Sequence, residues 1–342
     1  MTVFEFLYYL GCSIKKHSAL KNQKKLPHKV ISLGNITLGG TGKTPAAIAL
    51  AREAQGRGFR PCILTRGYKG KAEGPCFVSK GEGPLLDEYQ AGDEAILMAE
   101  KLKGVLIVKG SNRYEAGMFA LNVSDHDHKP DLFILDDGFQ HWALFRDKNI
   151  LLIDSTNPFG NRRLIPLGPL REPIKEIKRA DIVVITKRSA VSGQQSGEEL
   201  VTEIRRYNTN APVFLAEHRP LAFQTVKGET FPPEWAKDKK FFGFCGIGNP
   251  QSFKKTLLSA DADMELKGLI TFRDHHRYTA GDLQMIMLNA ERTGAEWIVT
   301  TEKDIMRLKE LDMPEHVVSL AIEFSIEEKF YDEVFNEMQN SK

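Results

Sequence analysis

Short apolar runs alternate with longer amphipathic stretches along most of the chain. The runs predict eight strands, at residues 30–33, 61–65, 105–108, 131–135, 150–154, 181–186, 240–246 and 296–301. Runs with so few polar positions are typical of strands buried on both faces of a parallel sheet. Because helical patterns separate the runs, we predict an α/β fold with a mostly parallel sheet.

The alternation is interrupted between residues 217 and 238, a stretch whose prolines indicate a domain junction. We therefore predict three parts: a basic amphipathic leader over 1–29, a nucleotide-binding domain over 30–220, and a smaller C-terminal α/β domain over 221–342. A closing helix is expected near the C-terminus, and Ser325 with Glu328 predicts a capping box at its start.

The segment 30–44, VISLGNITLGGTGKT, combines a strand, a glycine-rich loop and the start of a helix. This is the order of a phosphate-binding loop, in which backbone amides turn towards a phosphate, a lysine adds positive charge and a hydroxyl ligates magnesium. The first domain is therefore predicted to be P-loop NTPase-like. The candidate nucleotide-binding residues are Thr37, Leu38, Gly39, Gly40, Thr41, Gly42, Lys43 and Thr44.

The phosphate-loop interpretation has one departure and one alternative. The usual pattern has glycine at the position of Thr37. A glycine-rich turn with a lysine also occurs as an ordinary connection between a strand and a helix. The combination of strand, loop and helix favours nucleotide binding over that alternative.

Two aspartates, Asp136 and Asp137, directly follow the predicted strand 131–135. Because the carboxyl ends of parallel strands meet at one edge of a sheet, we expect these carboxylates beside the phosphate loop. With Thr44 they are the candidate ligands of a magnesium ion. A capped Asp-Asp-Gly turn is the alternative explanation.

Composition limits the classes of function. The 342 residues carry a formal net charge of +2, which argues against a protein that coats nucleic acid. The four cysteines are far apart and form no zinc-ligand or disulfide pattern, so a reducing cytoplasm is expected. No apolar run approaches the ~18 residues that cross a bilayer. No sequence feature indicates an obligate protein partner.

The leader has apolar residues at helical spacing, and lysines follow them. The apolar residues are Val3, Phe4, Phe6, Leu7, Leu10 and Ile14, and the lysines are Lys15, Lys16, Lys21, Lys24, Lys25 and Lys29. A signal peptide has the opposite order. A helix lying in a membrane interface, with its lysines on anionic lipid, fits the pattern. A first helix packed on the protein core, followed by a solvated lysine linker, fits it as well.

Three further segments carry candidate chemistry. Asp93 opens a predicted helix, so stabilisation of the helix dipole is an ordinary explanation for its carboxylate. The proline- and arginine-rich segment 161–173 is incompatible with regular helix or strand, and is either a substrate-contacting loop or a surface linker. His275 and His276 have no metal-ligand spacing to a partner.

Eight short motifs occur in one order along the chain. They are GGTGKTP, TRGY, GDEA, DDGFQH, NRRLIPLGPLREP, CGIGNP, FRDHHRY and TEKD. In this order they closely resemble the lipid A disaccharide (tetraacyldisaccharide) 4′-kinases, bacterial enzymes that phosphorylate the tetraacylated glucosamine disaccharide precursor of lipid A. The resemblance extends from about residue 30 to 308, and DDGFQH with LREP is specific to that family. The family also tolerates a residue other than glycine at the position of Thr37.

The resemblance implies ATP and Mg²⁺ as co-substrates and a membrane-embedded glycolipid as the acceptor of a 4′-phosphate. It places the enzyme peripherally on the anionic inner membrane, at its cytoplasmic face. Lys43 and the loop amides would hold the β- and γ-phosphates, and Thr44 with Asp136 or Asp137 would hold the metal.

The resemblance also implies roles for residues outside the phosphate loop. Asp93 of GDEA would be the base for the 4′-hydroxyl, assisted by His275, the first histidine of the DHH segment. Further motif positions would line the acceptor and phosphate sites; these are Tyr68, Arg113, Gln140, His141, Arg171 and Glu172.

Two other classes of function compete with the kinase interpretation. A regulatory or metallochaperone GTPase would usually carry an Asn-Lys-x-Asp motif and a DxxG switch, and neither is found. A soluble small-molecule kinase would share the phosphate loop, but it would have no use for the apolar and lysine-rich leader. Nucleotide preference and lipid-vesicle binding distinguish these classes.

Overall fold

The computed structural model describes residues 2–67, 70–123, 129–186, 197–309, 311–336 and 338. The strands are β1 (Lys29–Gly34), β2 (Pro61–Thr65), β3 (Cys76–Lys80), β4 (Leu106–Lys109), β5 (Leu132–Leu135), β6 (Lys148–Asp154), β7 (Ile182–Thr186), β8 (Val213–Thr225), β9 (Thr230–Phe231), β10 (Lys240–Cys245), β11 (Glu265–Thr271), β12 (Trp297–Thr301) and β13 (Val317–Ile326).

The helices complete the alternation with the strands. They are α1 (Val3–Lys21), α2 (Lys43–Gly56), α3 (Glu88–Ala91), α4 (Asp93–Lys101), α5 (Arg113–Val123), α6 (Gly197–Arg205), α7 (Pro250–Leu258), α8 (Ala280–Arg292), α9 (Glu302–Met306) and α10 (Glu328–Phe335). Short 3₁₀ helices occur at Ile174–Arg179 and Pro233–Ala236. No helix in these ranges is both long and apolar enough to cross a bilayer.

The chain forms two compact units. Unit 1 comprises Met1–Glu217 and Ile326–Lys342, and unit 2 comprises His218–Ser325. The division falls close to the predicted boundary after residue 220. The predicted extent of the second domain, 221–342, was wrong at its C-terminal end, because the chain after Ser325 belongs to unit 1.

The apolar face of α10 explains why the C-terminal segment belongs to unit 1. Phe330 and Phe335 are buried. The Phe330 ring lies 5.5 Å from that of Phe214, and the Phe335 ring lies 5.7 Å from that of Phe59. The predicted capping box was also wrong: β13 continues through Ser325, and the helix begins after Glu327 without a side-chain cap.

In unit 1 the strand order is β8-β7-β6-β1-β5-β2-β4-β3, and β1 lies between β5 and β6. The strand pairs in this series are parallel, except that β3 is antiparallel to β4. β1, β2 and β5 are almost entirely buried, as their uninterrupted apolar sequences require. The predicted α/β, P-loop NTPase-like class is confirmed.

Unit 2 is a smaller α/β unit, as predicted. Its strand order is β11-β10-β12-β13-β8, and β9 pairs with β8. β10 is parallel to β11 and β12, and β12 is parallel to β13. Buried aromatic residues on both faces of β10, among them Phe241 and Phe244, form its core.

The apolar pattern missed strands with less burial. β3 and β11 are the end strands of their series and are only partly buried. A strand at the edge of a sheet has less apolar sequence, so periodicity detects it poorly. β8 was missed because Pro220, which lies inside it, was interpreted as part of a domain junction.

Candidate functional site

The phosphate loop connects β1 to α2 in unit 1. Gly42 has φ of 86°, in the left-handed region that glycine adopts without strain, and α2 begins at the next residue. No side chain caps this helix. The first backbone amides of α2 therefore have no hydrogen-bond acceptor within the helix. Together with the helix dipole, they form an anion-binding site.

Segment 161–173 holds the phosphate loop in place. The Leu38 amide donates to the Pro169 carbonyl (2.7 Å), and the Arg171 amide donates to the Ile36 carbonyl (2.8 Å). On the other side of the loop, the Thr186 hydroxyl donates to the Thr41 carbonyl (3.0 Å). The segment is therefore built into the site and is not a surface linker.

Two glycines allow the carboxylate-bearing turn after β5 to approach β1 closely. A Cβ atom on Gly34 would lie 2.6 Å from the backbone nitrogen of Phe139, and one on Gly138 would lie 2.6 Å from the Ser32 hydroxyl. The Gly138 amide donates to the Leu33 carbonyl (2.8 Å). Asp136 and Asp137 thus lie beside the phosphate loop, as predicted from strand polarity.

Two positively charged side chains, Arg171 and Lys43, contact the carboxylate of Asp137. Arg171 Nη1 lies 2.9 and 2.8 Å from its two carboxylate oxygens, and Lys43 Nζ lies 3.6 Å from Oδ1. Burial favours a higher pKa for Asp137, but the charges of Lys43 and Arg171 outweigh it and hold the pKa below its ordinary value. This carboxylate is ionised and neutralised by protein groups.

Asp136 has different surroundings. It is 3% exposed, and Oδ2 accepts a hydrogen bond from the Thr65 hydroxyl (3.1 Å). Among the described residues nothing donates to its buried Oδ1. Burial, followed by the charges of Glu94 and Asp137, raises the pKa of Asp136 to about 6. A buried carboxylate oxygen without a donor is a vacant acceptor for a cation.

The predicted positions Gln140 and Glu172 join the same network. Gln140 Nε2 donates to the Asn35 carbonyl and to Glu172 Oε1, each at 2.8 Å. Glu172 also accepts two hydrogen bonds from Arg179 (2.7 and 2.5 Å). Burial raises the pKa of Glu172 although the charge of Arg179 opposes it.

Arg113 and His141 are predicted positions that lie deeper in unit 1. Arg113 is 3% exposed and donates to the carbonyls of Gly110 (2.7 Å) and Asp136 (3.3 Å), so it holds the backbone at the metal-candidate residue. Burial, with the charges of Arg113 and Arg146, lowers the pKa of His141 to about 4. His141 is therefore neutral near pH 7.

Asp93 is the first residue of α4 and is 8% exposed. The N-cap is Gly92, which provides no side-chain cap, and Asp93 Oδ1 accepts from the Glu94 amide (3.0 Å). Asp93 is therefore not the N-cap of α4. Its position in the first turn accounts for the hydrogen bond from the Glu94 amide. Glu94 is close enough to Asp136 to raise its pKa.

His275 lies in unit 2 and has φ of 58°. Its amide donates to the Gly246 carbonyl (3.0 Å), and Arg307 Nη2 lies 3.2 Å from its Nδ1. The neighbouring His276 is engaged elsewhere: its Nε2 lies 3.2 Å from Asp282, and its ring stacks on Phe272. Tyr68, the remaining predicted position, lies outside the described residues.

One side of helix α1 contacts the rest of unit 1, and the other side is exposed. Glu5 pairs with Arg163 (3.1 Å), the Tyr8 hydroxyl donates to the Arg171 carbonyl (3.0 Å), and Lys16 pairs with Glu176 (2.5 Å). Its exposed apolar side chains are Val3 (72%), Phe4 (67%), Phe6 (48%), Leu7 (57%), Leu10 (43%), Ile14 (62%) and Leu20 (46%). The helix therefore packs on unit 1 and also presents an apolar surface.

Sequence reasoning missed four contributors to the site: Asn35, Thr65, Glu94 and Arg179. Asn35 Oδ1 accepts from Lys43 (3.4 Å). Asn35 and Thr65 are polar residues at or just after the carboxyl end of a buried strand, which is the same sequence signal that predicts Asp136 and Asp137. Arg179 had no comparable local signal, because its role depends on a pairing formed in the fold.

The residues of the phosphate loop fit a magnesium ion. The described residues contain no group of three or more His, Cys, Asp or Glu side chains suited to a metal. Mg²⁺ does not need such a cage, since it usually binds through one or two carboxylates together with phosphates and water. The vacant oxygen of Asp136 and the buried Thr44, second residue of α2, suit that mode.

Comparison with known proteins gives one consistent result. The family described as Tetraacyldisaccharide-1-P 4′-kinase matches residues 1–339. The Tetraacyldisaccharide 4′-kinase of Syntrophus aciditrophicus is 39% identical over 324 residues, 91% of this chain and 84% of the relative. That of Halothermothrix orenii is 38% identical over 301 residues, 84% of this chain and 76% of the relative.

A solved structure resembles the fold over nearly the whole chain. The crystal structure of LpxK from Aquifex aeolicus in complex with ATP has a TM-score of 0.74 and 32% sequence identity. It covers 97% of this chain and 96% of its own. The family match also includes the leader, which lies outside the span of the sequence motifs.

Proposed function

This chain belongs to the tetraacyldisaccharide-1-P 4′-kinase family, and we propose roles for its residues in transferring the γ-phosphate of ATP to a glycolipid. The activity is that of an ATP-dependent kinase acting on the 4′-hydroxyl of the tetraacylated glucosamine disaccharide 1-phosphate precursor of lipid A. The observation that carries this conclusion is the family match from residue 1 to residue 339.

The phosphate loop, from Thr37 to Thr44, binds the triphosphate in this proposal. Its backbone amides and the N-terminus of α2 face the β- and γ-phosphates, and Lys43 adds the positive charge. Asn35 and Asp137 support this role, because they hold Lys43 in position. Phosphoryl transfer depends mainly on positioning and on neutralising charge, so a fixed cation at this point is what the reaction requires.

We assign the magnesium-binding carboxylate to Asp136, with Thr44 as the second protein ligand. Asp136 retains an oxygen without a donor, whereas both oxygens of Asp137 are bound by Arg171. Bound there, Mg²⁺ would supply positive charge that neutralises the phosphates. The charges of Arg171 and Lys43 keep Asp137 ionised. The ionised Asp137 in turn holds Lys43 beside the proposed phosphate site.

Asp93 is the proposed general base for the acceptor hydroxyl, and His275 is its assistant. Asp93 is buried at the start of α4, where its carboxylate accepts a hydrogen bond from the Glu94 amide. Positioned general-base catalysis contributes ~10²- to 10⁴-fold. Asp93→Ala and His275→Ala are each expected to lower kcat by about this factor, with little change in ATP affinity.

A double-mutant cycle tests whether Asp93 and His275 act as one unit. If they do, the double variant should be hardly slower than the slower single variant. Multiplicative losses would show that the two side chains act independently. A near-normal kcat in Asp93→Ala would return Asp93 to the helix-start explanation.

Helix α1 is proposed to hold the enzyme peripherally on the cytoplasmic face of the inner membrane. Its outward apolar residues, with the lysines that follow, have the composition of an interfacial helix. Arg171 supports a connection to the site: its carbonyl accepts from Tyr8 on α1, its amide holds the phosphate loop, and its side chain binds Asp137. The enzyme would thus bind its glycolipid acceptor at the membrane surface.

The membrane role is tested by changing only the outward side of α1. The triple variant Phe4→Ser, Leu7→Ser, Leu10→Ser leaves the contacts of Glu5, Tyr8 and Lys16 in place. It should sediment less with anionic vesicles and show a higher apparent KM for the acceptor, with an unchanged KM for ATP. High salt should also weaken binding of the unaltered protein.

The matched control for this variant is Leu288→Ser on α8. Leu288 is 45% exposed, close to the 43% of Leu10. Equal loss of vesicle binding in both proteins would contradict the assignment to α1.

The activity itself is tested with purified protein, radiolabelled ATP and the disaccharide 1-phosphate acceptor. A labelled lipid product is expected with ATP and not with GTP. Activity with GTP alone, or labelling of soluble sugars only, would support the competing GTPase or small-molecule kinase.

A further inference from the structure

Unit 2 contains a buried polar cluster that the proposed mechanism has not yet used. At its centre is Asp304, which is fully buried. Its Oδ2 accepts from the Thr301 hydroxyl (2.7 Å) and the Gly246 amide (3.1 Å). Its Oδ1 accepts from the Tyr278 hydroxyl (3.0 Å) and from Arg307 Nη1 (2.9 Å).

Arg307 connects this cluster to His275. The side chain of Arg307 is 7% exposed. Nη1 donates to Asp304 and to the Gly246 carbonyl (3.1 Å), while Nη2 lies 3.2 Å from His275 Nδ1. The Gly246 carbonyl also accepts from the His275 amide (3.0 Å). Gly246 therefore holds the backbone of His275, and Arg307 holds its ring.

The chemistry of arginine determines which ring nitrogen carries the proton. A guanidinium group is only a donor, so Nδ1 of His275 must accept in this contact. A proton on Nδ1 would point at a guanidinium N–H, placing two donors against each other. The neutral ring must then carry its proton on Nε2.

The carboxylate of Asp274 does not provide this selection, because its Oδ1 lies 3.9 Å from His275 Nε2, too far for a hydrogen bond. Asp282 is engaged with His276.

We propose that Arg307, held by Asp304, is a positioning residue that sets the orientation and the Nε2–H tautomer of His275. The ring then presents a hydrogen-bond donor, which suits the support of a carboxylate base rather than removal of the acceptor proton. This inference rests on the proposed role of His275. It assigns proton removal to Asp93 and hydrogen-bond donation to His275.

The direct test is the tautomer of His275 in the full-length protein labelled with ¹⁵N-histidine. Long-range ¹H–¹⁵N correlation spectra report which ring nitrogen is protonated, and the signals lost in His275→Asn identify the residue. The unaltered protein should show the Nε2–H form. Arg307→Met should show a mixture of tautomers, and Arg307→Lys, which retains a cationic donor, should restore much of the Nε2–H form.

Variants that lose the Nε2–H tautomer of His275 should also have a lower kcat. Because small misplacements of catalytic groups are costly, Arg307→Met should lower kcat by about 10- to 100-fold while leaving the KM for ATP unchanged. In a His275→Ala background the same substitution should cost nothing further, since Arg307 acts through His275. Arg292→Met, the same change at an exposed position at the end of α8, should leave tautomer and kcat unaltered.

Tyr278→Phe separates positioning from general loosening of the cluster. It removes one donor to Asp304 without touching His275, so it should lower stability and keep the Nε2–H tautomer. A tautomer mixture in Tyr278→Phe equal to that in Arg307→Met would overturn the assignment to Arg307. So would an unchanged Nε2–H form in Arg307→Met.

The two proposals fail in distinguishable ways. Near-normal kcat in His275→Ala removes the catalytic role of His275, while the spectra still decide whether Arg307 sets the tautomer. A large loss in His275→Ala with no effect of Arg307→Met on tautomer or kcat leaves the catalytic role intact and refutes the positioning role.

Discussion

Asp136 in unit 1 and Asp304 in unit 2 are both buried, at 3% and 0% exposure, yet their surroundings differ. Asp304 accepts four hydrogen bonds from protein donors, two on each oxygen. Asp136 accepts one on Oδ2, and its Oδ1 receives none from the described residues. Burial alone therefore does not identify a functional carboxylate. The difference in protein donors supports a stabilising role for Asp304 and the proposed metal-binding role for Asp136.

The strongest test of this comparison is catalytic. Asp136→Asn and Lys43→Ala should each lower kcat by at least about 10²- to 10³-fold, because each removes a charge aligned with the phosphates or the metal. The fold should persist, since Oδ1 of Asp136 has no donor among the described residues and the asparagine oxygen can still accept from the Thr65 hydroxyl. Phosphate transfer and circular dichroism of the purified variants measure these effects. Full activity in Lys43→Ala would refute the phosphate-loop assignment.

The converse test is stability. Asp304→Asn should lower the free energy of unfolding by about 3 to 5 kcal/mol, because it leaves buried donors, including Arg307, without their charged partner. Asp136→Asn, the same chemical change, should not lower it and should raise it by up to about 3 kcal/mol above pH 6, because it removes a buried charge. Urea unfolding of the two variants side by side gives the comparison. Equal losses would mean that donor count does not distinguish the two sites.

The pH dependence of stability sharpens the distinction within unit 1. The pKa of Asp136 is about 6 in the folded protein against 3.8 ordinarily. Between these pH values the folded state binds more protons, so this contribution to stability falls by about 3 kcal/mol as pH rises. His141 has the opposite sign: its folded pKa is about 4 against 6.5, so its contribution rises with pH.

Substituting Asp136 or His141 should therefore change the slope of unfolding free energy against pH in opposite directions. From pH 4 to 6.5, Asp136→Asn should gain stability with rising pH more steeply than the unaltered protein. His141→Gln should gain less or lose stability over the same range. Urea unfolding at several pH values measures the slopes, and parallel curves for all three proteins would contradict both pKa assignments.

The smallest expected effect concerns the second proposed metal ligand. Thr44→Ala removes one hydroxyl and leaves the carboxylate of Asp136, so the Mg²⁺ concentration for half-maximal activity should rise by about 10-fold. Titration of activity with Mg²⁺ at saturating ATP measures this change. Thr41→Ala removes a hydroxyl from the same loop at a position not assigned to the metal, and should leave the Mg²⁺ requirement unaltered.

The sequence by itself determined the features that are written in contiguous residues. The phosphate loop at 30–44 was recognisable because strand, loop and helix follow one another directly, and Asp136 and Asp137 because they end a strand. The α/β class followed from the alternation of apolar runs with helical patterns, and the family from eight motifs in a fixed order. Each of these signals is local, so folding is not needed to detect it.

Only the tertiary structure decided how neighbouring residues in the sequence differ. Asp137 is bound by Arg171, 34 residues away, and Asp136 is not. Tyr8 meets the Arg171 carbonyl across 163 residues, and α10 belongs to unit 1 because its phenylalanines pack on Phe59 and Phe214. Burial and hydrogen-bond partners arise from such long-range contacts, which no local pattern of residue types encodes.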